Sequence, residues 1–166
     1  MESIEFIGVF SYDYDGNTWI VDKENLDKIL SYNPSAYYEQ HYVYNKDGKY
    51  GLAIDYYQKA LNLKPGDYKI LCNLGTAYYN NKDNTNAIAN WDKALNSNPD
   101  DVIIHYNLSQ AYSAQNNMDK AIEELENVLL INPDFKDARK TLGYYYIRKG
   151  NIKEGITNCY KAFTLK

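Results

Sequence analysis

Small and apolar residues recur along most of this chain at steps of three and four, the period that gives an α-helix one apolar face. Short polar runs that favour turns interrupt the pattern. These runs are Lys46-Asp47-Gly48, Asn81-Lys82-Asp83-Asn84, Gln115-Asn116-Asn117 and Lys149-Gly150-Asn151. The pattern therefore predicts pairs of antiparallel amphipathic helices joined by tight turns.

The pattern also repeats as a whole, because Pro65, Pro99 and Pro133 stand 34 residues apart. The side chains that move with the prolines are Tyr44, Tyr78 and Tyr112, then Ala53, Ala87 and Ala121, then Tyr57, Trp91 and Leu125. A fourth unit continues through Tyr146, Gly155, Cys159 and Ala162. Each proline is expected to end a second helix, and Asp100-Asp101 or Asp134 to cap the next one. Such a period predicts a solenoid of helical hairpins.

One unit resembles a known family closely. Its residues Leu74-Gly75, Tyr78, Ala87, Trp91, Ala94 and Pro99 have the order and spacing of a tetratricopeptide repeat. Ser109 replaces the glycine in the next unit, and Gln40-His41 replace the usual Leu-Gly in the earliest one. The resemblance covers residues 34–166. It implies an all-α, right-handed superhelical solenoid of helix-turn-helix repeats, with units at 34–67, 68–101, 102–135 and 136–166.

Residues 1–33 fit the repeat poorly, and two interpretations stay open. In the first, Ile4 to Tyr14 and Thr18 to Val21 form a small β-hairpin around Asp15-Gly16, followed by a short helix. In the second, the segment is a degenerate repeat in which Ile7-Gly8 stands for Leu-Gly. Either way, we expect an atypical cap over the first full repeat, because the ends of solenoids must be covered.

The composition of the chain indicates which kinds of binding partner and which cellular compartment to expect. A net charge of −4 argues against nucleic acid and anionic membranes, which both need a basic surface. No long apolar run is present, and Met1-Glu2-Ser3 does not resemble a signal peptide. Cys72 and Cys159 fall in distant repeats, which fits a reducing compartment better than a disulfide. We therefore expect a cytoplasmic protein.

Catalytic chemistry is not indicated. His41 and His105 are the only histidines, and we interpret them as packing residues. Neither cysteine has a metal-ligand spacing to another Cys or to a His, so we expect no metal and no cofactor. Glu123, Glu124 and Glu126 are expected on a solvated outer face, where Glu124→Ala would cost less than about 0.5 kcal/mol. The sequence predicts a protein that is not an enzyme.

The resemblance implies a binding surface on the first helix of each unit, which lines the concave side of such solenoids. Counting from the motif, the candidate peptide-binding residues are Tyr38, Tyr42, Asn73, Thr76, Tyr79, Tyr106, Asn107, Gln110 and Tyr144. Tyrosine offers contact area with a hydroxyl, and asparagine can bind a peptide backbone through donor and acceptor. The 19 tyrosines of the chain would also produce a tyrosine-lined groove by composition alone.

The carboxylate clamp of chaperone-binding family members is not matched. It needs cations for a C-terminal carboxylate, with two lysines, two asparagines and an arginine at fixed positions. The corresponding residues here are Tyr38, Tyr42, Asn73, Ile103 and Asn107, or in another register Cys72, Thr76, Asn107, Asp137 and Thr141. Only asparagines agree, so a chaperone-tail adaptor is disfavoured.

The sequence therefore predicts a protein-interaction module that binds a peptide segment of a partner protein. The alternative is a self-associating assembly protein that forms a homodimer through its last repeat. Ile156, Tyr160 and Phe163 would then form an apolar edge that two copies bury together.

Overall fold

The structure is a computed structural model that describes residues 11–12, 18–19 and 50–164. The chain divides into two compact units, Met1–Pro65 and Gly66–Lys166. The described part of the first unit holds strands β1, Ser11–Tyr12, and β2, Thr18–Trp19, and helix α1, Tyr50–Leu63.

The two strands of the first unit pair antiparallel, with Ser11 opposite Trp19 and Tyr12 opposite Thr18. This is the pairing that the hairpin interpretation predicts. The rest of residues 1–33, together with Gln40-His41 and the turn at 46–48, lies outside the described residues. The bounds of the cap segment therefore stay a prediction. Helix α1 buries one stripe of residues, namely Ala53, Ile54, Tyr56, Tyr57 and Ala60.

The second unit consists of three helical hairpins in its described residues. They are α2, Tyr68–Asn80, with α3, Asn84–Leu95; α4, Val102–Ala114, with α5, Met118–Ile131; and α6, Lys136–Arg148, with α7, Ile152–Thr164. The two helices of each hairpin pack together, and α3 contacts α4 as α5 contacts α6. Turns at 81–83, 115–117 and 149–151 separate the paired helices, and Asn84, expected in the first turn, is the first residue of α3. The all-α solenoid of helix-turn-helix repeats is confirmed.

The turn inside each hairpin uses the same backbone conformation. Lys82, Asn116 and Gly150 have φ angles of 66°, 59° and 86°, and they stand one repeat length apart. This left-handed region costs little for glycine and is tolerated by asparagine, but it strains a lysine. The repeat therefore determines the conformation of this turn, whichever residue stands there. The residue only makes the positive φ angle more or less favourable.

Most helices begin at the side-chain caps that the sequence provides. The carboxylate of Asp101 accepts hydrogen bonds from the backbone N–H groups of Ile103 and Ile104, as expected for the start of α4. The expectation for Asp134 is wrong. Helix α6 begins at Lys136, so the cap position falls on Phe135, which cannot accept a hydrogen bond through its side chain.

Close helix contact explains the small residues of the motif. A Cβ atom added to Gly75 would lie 2.5 Å from the ring of Trp91, which is buried across it. In the last hairpin the backbones themselves approach, because a Cβ on Gly155 would lie 2.8 Å from the carbonyl oxygen of Gly143. Ser109 fits at the glycine position of the second hairpin, where its hydroxyl donates to the carbonyl oxygen of Tyr106.

Candidate functional site

The candidate peptide-binding residues lie on the first helix of successive hairpins. Asn73, Thr76 and Tyr79 are on α2; Tyr106, Asn107 and Gln110 are on α4; Tyr144 is on α6. We call these seven residues the groove face. Tyr38 and Tyr42 lie outside the described residues.

Tyr79 and Gln110 are brought together across the first two hairpins. The Tyr79 hydroxyl donates to Oε1 of Gln110 at 3.4 Å, which joins α2 to α4. The Tyr79 ring also lies 5.9 Å, centroid to centroid, from that of Trp91. Burial is the main cause that raises the pKa of Tyr79 above its usual value. Tyr79 is thus partly committed to holding neighbouring repeats together.

Tyr106 has a similar role between the second and third hairpins. Its ring packs edge-on against Phe135 with centroids 5.3 Å apart, and its hydroxyl lies 3.5 Å from Oγ1 of Thr141. Thr76 is also engaged, because its hydroxyl donates to the carbonyl oxygen of Cys72 within its own helix. These side chains form part of the groove face, but their polar atoms are already in contact with other groups of the protein.

Asn73 and Asn107 differ from their neighbours on the groove face. They occupy the same position of successive repeats, and both are half-buried. Among the described residues, neither side-chain amide has a hydrogen-bond partner in the protein. An amide carries two donors and an acceptor, so both can bind a polar backbone without giving up an internal contact.

Tyr144, the last residue of the groove face, and Ile103, which neighbours that face, are exposed. Tyr144 is 55% exposed, and the guanidinium carbon of Arg148 lies 5.8 Å from the centre of its ring. Next to the groove face, Ile103 on α4 is 58% exposed although it is a large aliphatic residue. The inner helices therefore offer two hydrogen-bonding amides together with two apolar contact points.

His105 is buried and bonded to the fold through both ring nitrogens. Nε2 donates to the carbonyl oxygen of Pro99 at 2.8 Å, since a carbonyl can only accept. Nδ1 lies 2.6 Å from Oε2 of Glu124. The expected solvated position of Glu124 is therefore wrong, because the carboxylate is drawn under α4 by this contact. Glu126 is also engaged, accepting a hydrogen bond from the Tyr146 hydroxyl.

Arg139 is half-buried and makes a contact that sequence reasoning missed. It stands one repeat after His105, and its guanidinium likewise donates to a repeat proline, at the carbonyl oxygen of Pro133. Its Nε atom is buried without a hydrogen-bond partner in the described part of the chain. The signal in the sequence was the 34-residue offset itself, since two donor side chains at equivalent positions reach equivalent prolines.

The two cysteines lie on α2 and α7, in different surroundings, and both are free. Burial raises the pKa of the Cys72 thiol from 9.0 to about 11, whereas Cys159 is exposed. The carbonyl oxygen of Cys72 accepts hydrogen bonds from Thr76 and from Nε1 of Trp91. Cys72 thus belongs to the packing between α2 and α3.

We expect iodoacetamide at pH 8 to alkylate Cys159 first. A pKa raised from 9.0 to about 11 lowers the thiolate fraction of Cys72 about 100-fold at this pH, and the thiolate is the reacting form. Mass spectrometry of Cys72→Ala and Cys159→Ala chains isolates the rate of each thiol. Equal rates in the two variants would show that Cys72 is not buried as described.

The expected self-association edge lies on α7. Ile156, Tyr160 and Phe163 are 59%, 68% and 87% exposed, and Ile152 precedes them on the same side of the helix. We call these four residues the α7 strip. Only Gly155 and Ala162 of this helix are buried. The strip is a continuous apolar surface of the kind that marks contact sites.

Two further classes of site are absent from residues 50–164 and the two short strands. No cluster of three or more His, Cys, Asp or Glu side chains there is placed to hold a metal ion. In the same described residues, no helix combines the length and apolar character needed to cross a bilayer.

Comparison with known proteins identifies the repeat. A tetratricopeptide repeat model matches residues 81–142, and a TPR repeat model matches residues 42–82. No curated protein matches the sequence significantly.

Solved structures share the fold. The crystal structure of MamA is 26% identical over 82% of this chain and 82% of its own, with a TM-score of 0.78. MamA of Desulfovibrio magneticus RS-1 is 22% identical over 80% and 75%, with a TM-score of 0.77. YrrB, described as a TPR protein with an unusual peptide-binding site, is 24% identical over 84% and 74%, with a TM-score of 0.75. The family models and the shared fold together show that the chain belongs to the tetratricopeptide repeat family.

Proposed function

We propose that this chain is a non-enzymatic protein-interaction module whose groove face binds a peptide segment of a partner protein. The observation that carries the proposal is the pair of Asn73 and Asn107 amides, which face no internal hydrogen-bond partner among the described residues. Their positions are one repeat apart, so a single extended or helical segment can meet both. The similarity to YrrB, a TPR protein with a peptide-binding site, supports this function.

The chemistry around the amides favours a largely uncharged segment with apolar side chains. Ile103 and Tyr144 are exposed and offer contact area to such side chains. Ile103 also stands at a position where a carboxylate clamp needs a cation, so an acidic C-terminal tail is not the favoured ligand. We propose that the module acts in the cytoplasm.

Replacing Asn73 and Asn107 together with alanine is expected to weaken the partner about 30-fold. Each lost hydrogen bond contributes on the order of 1 kcal/mol, and about 2 kcal/mol corresponds to that ratio of dissociation constants. The partner is first captured from native lysate with the wild-type chain, and its affinity for both chains is then measured by isothermal titration calorimetry.

A matched control is Asn86→Ala with Asn96→Ala, which removes two exposed amides from helix α3 and its end. This control chain should keep the wild-type affinity. Circular dichroism should show unchanged helicity in both double variants. A groove variant that binds every partner at wild-type affinity would contradict the proposed function.

Self-association through the α7 strip is the second candidate function. It is favoured by the exposure of Ile156, Tyr160 and Phe163, because two copies could bury such a surface in one isologous contact. The two functions use different helices, so either one can hold without the other.

A further inference from the structure

The α7 strip is the repeat equivalent of a surface that is covered elsewhere in the same protein. Met118, Ile122 and Leu129 on α5 stand 34 residues before Ile152, Ile156 and Phe163. Those three α5 residues pack in the cluster formed with α6. Because the α7 strip corresponds to that interface, a further helix could pack on α7 in the same way as α6 packs on α5.

The side chains of α6 that contact α5 indicate which side chains such a helix would need. Ala138, Leu142 and Tyr145 are all buried in the shared cluster. They lie at positions i, i+4 and i+7, which share one face of a helix. A helix that packs on the α7 strip as α6 packs on α5 has a small residue, then a leucine-like residue, then an aromatic residue at this spacing.

The charges beside the strip differ from those of the equivalent internal surface. Val102 and Tyr106 of α4 pack against the α5–α6 cluster, and their equivalents one repeat later are Lys136 and Lys140. Both lysines are exposed. Lys140 is 3.5 Å from Asp137, but both side chains are mostly solvated, so this pair is weak. The last hairpin thus places an apolar strip beside two cations.

The internal interface also shows which residue of the arriving helix meets Lys140. Tyr106, the equivalent of Lys140, has its hydroxyl 3.5 Å from Oγ1 of Thr141. Thr141 lies three residues after Ala138 and one before Leu142. An acidic side chain at that position of an arriving helix would face the ammonium group of Lys140.

We propose that the α7 strip docks an amphipathic helix of a partner protein with a small residue, an acid, a leucine and an aromatic residue at positions i, i+3, i+4 and i+7. A second copy fits less well, because an isologous contact uses the same patch of both chains and brings four lysines to one interface. The α7 strip lies on a different helix from the groove face, and the proposal does not rest on peptide binding there.

The test uses a fluorescent, stapled peptide with the sequence of residues 135–148 and the change Thr141→Glu. The staple is needed because isolated helices of this length are marginal in water. We expect saturable binding to the full chain in fluorescence anisotropy. The matched peptide with Thr141→Lys should bind about ten-fold more weakly, since it places like charges together.

Chain variants locate the contact. Lys140→Glu should reverse the preference between the two peptides, and Ile156→Lys with Phe163→Lys should abolish binding of both. Leu130→Lys, at an exposed leucine of α5, should leave binding unchanged. Circular dichroism checks that each variant is folded.

Three results would overturn the proposal. The first is no binding of the Thr141→Glu peptide at concentrations up to about 1 mM, a level that corresponds to only about −4 kcal/mol. The second is equal binding of the two peptides to the wild-type chain. The third is a dimer in light scattering that Ile156→Lys with Phe163→Lys dissociates, because the strip would then be occupied by a second copy.

Discussion

Replacing Trp91 with alanine is expected to lower the free energy of unfolding by about 3–5 kcal/mol. Its side chain is 1% exposed and fills the space across Gly75, so truncation leaves a cavity between α2 and α3. The indole Nε1 also donates to the carbonyl oxygen of Cys72 at 3.1 Å, and this hydrogen bond is lost as well. Urea denaturation followed by circular dichroism measures the change.

Glu123→Ala is the control for this prediction. Glu123 is exposed on α5, and its removal should change stability by less than about 0.5 kcal/mol. Glu124→Ala does not serve this purpose, because Glu124 contacts the buried ring of His105. If Trp91→Ala and Glu123→Ala melted at the same temperature, the repeat register would be wrong.

Gly155→Ala is expected to destabilise the last hairpin by about 1–3 kcal/mol or more. The added methyl group would meet the carbonyl oxygen of Gly143 at 2.8 Å and Cγ1 of Ile147 at 2.5 Å. The isoleucine can rotate away, but a helix backbone cannot move without separating α6 from α7. The measurement is again the free energy of unfolding in urea.

Gly51→Ala provides the matched comparison. Among the described residues, no atom lies within 4 Å of a Cβ atom built on Gly51, which is also a helical residue. Alanine should therefore leave stability unchanged or raise it by up to about 1 kcal/mol. A loss of stability in Gly51→Ala as large as that in Gly155→Ala would contradict the close approach of α6 and α7.

The fold could be predicted from sequence because packing residues repeat at one spacing. Ala87 and Ala121 are fully buried, and Trp91 and Leu125 fill equivalent places in successive hairpins. A side chain that must fit between two helices is restricted in size, so its position is visible in the sequence without structural data. The turns were visible for the same reason, because their polar residues interrupt the helical period.

Individual contacts could not be predicted in this way. The position of Glu124 depends on how far the ring of His105 reaches across to α5. Asp134 does not cap α6 because that helix begins one residue later than expected. Such details are determined by distances between helices rather than by the period of the chain.

The sequence predicted which residues belong to the candidate site, but only partly what their side chains do. Asn73 and Asn107 could be selected by counting from the motif, and neither amide has a hydrogen-bond partner among the described residues. Tyr79 and Tyr106 were selected by the same counting, yet the hydroxyl of each contacts a side chain of the neighbouring repeat. Sequence spacing identifies which residues face the same side, whereas their partners depend on the neighbouring helix.

Site-specific cross-linking tests the groove face most directly. The photoreactive residue p-benzoylphenylalanine is introduced singly at Ile103, at Tyr144 or at Leu130, all of which are exposed. The first two positions lie on inner helices α4 and α6, and the third lies on α5. We expect the same partner to be cross-linked from Ile103 and Tyr144 and not from Leu130. Cross-linking of equal strength from Leu130, or none from the inner helices, would contradict binding at the groove face.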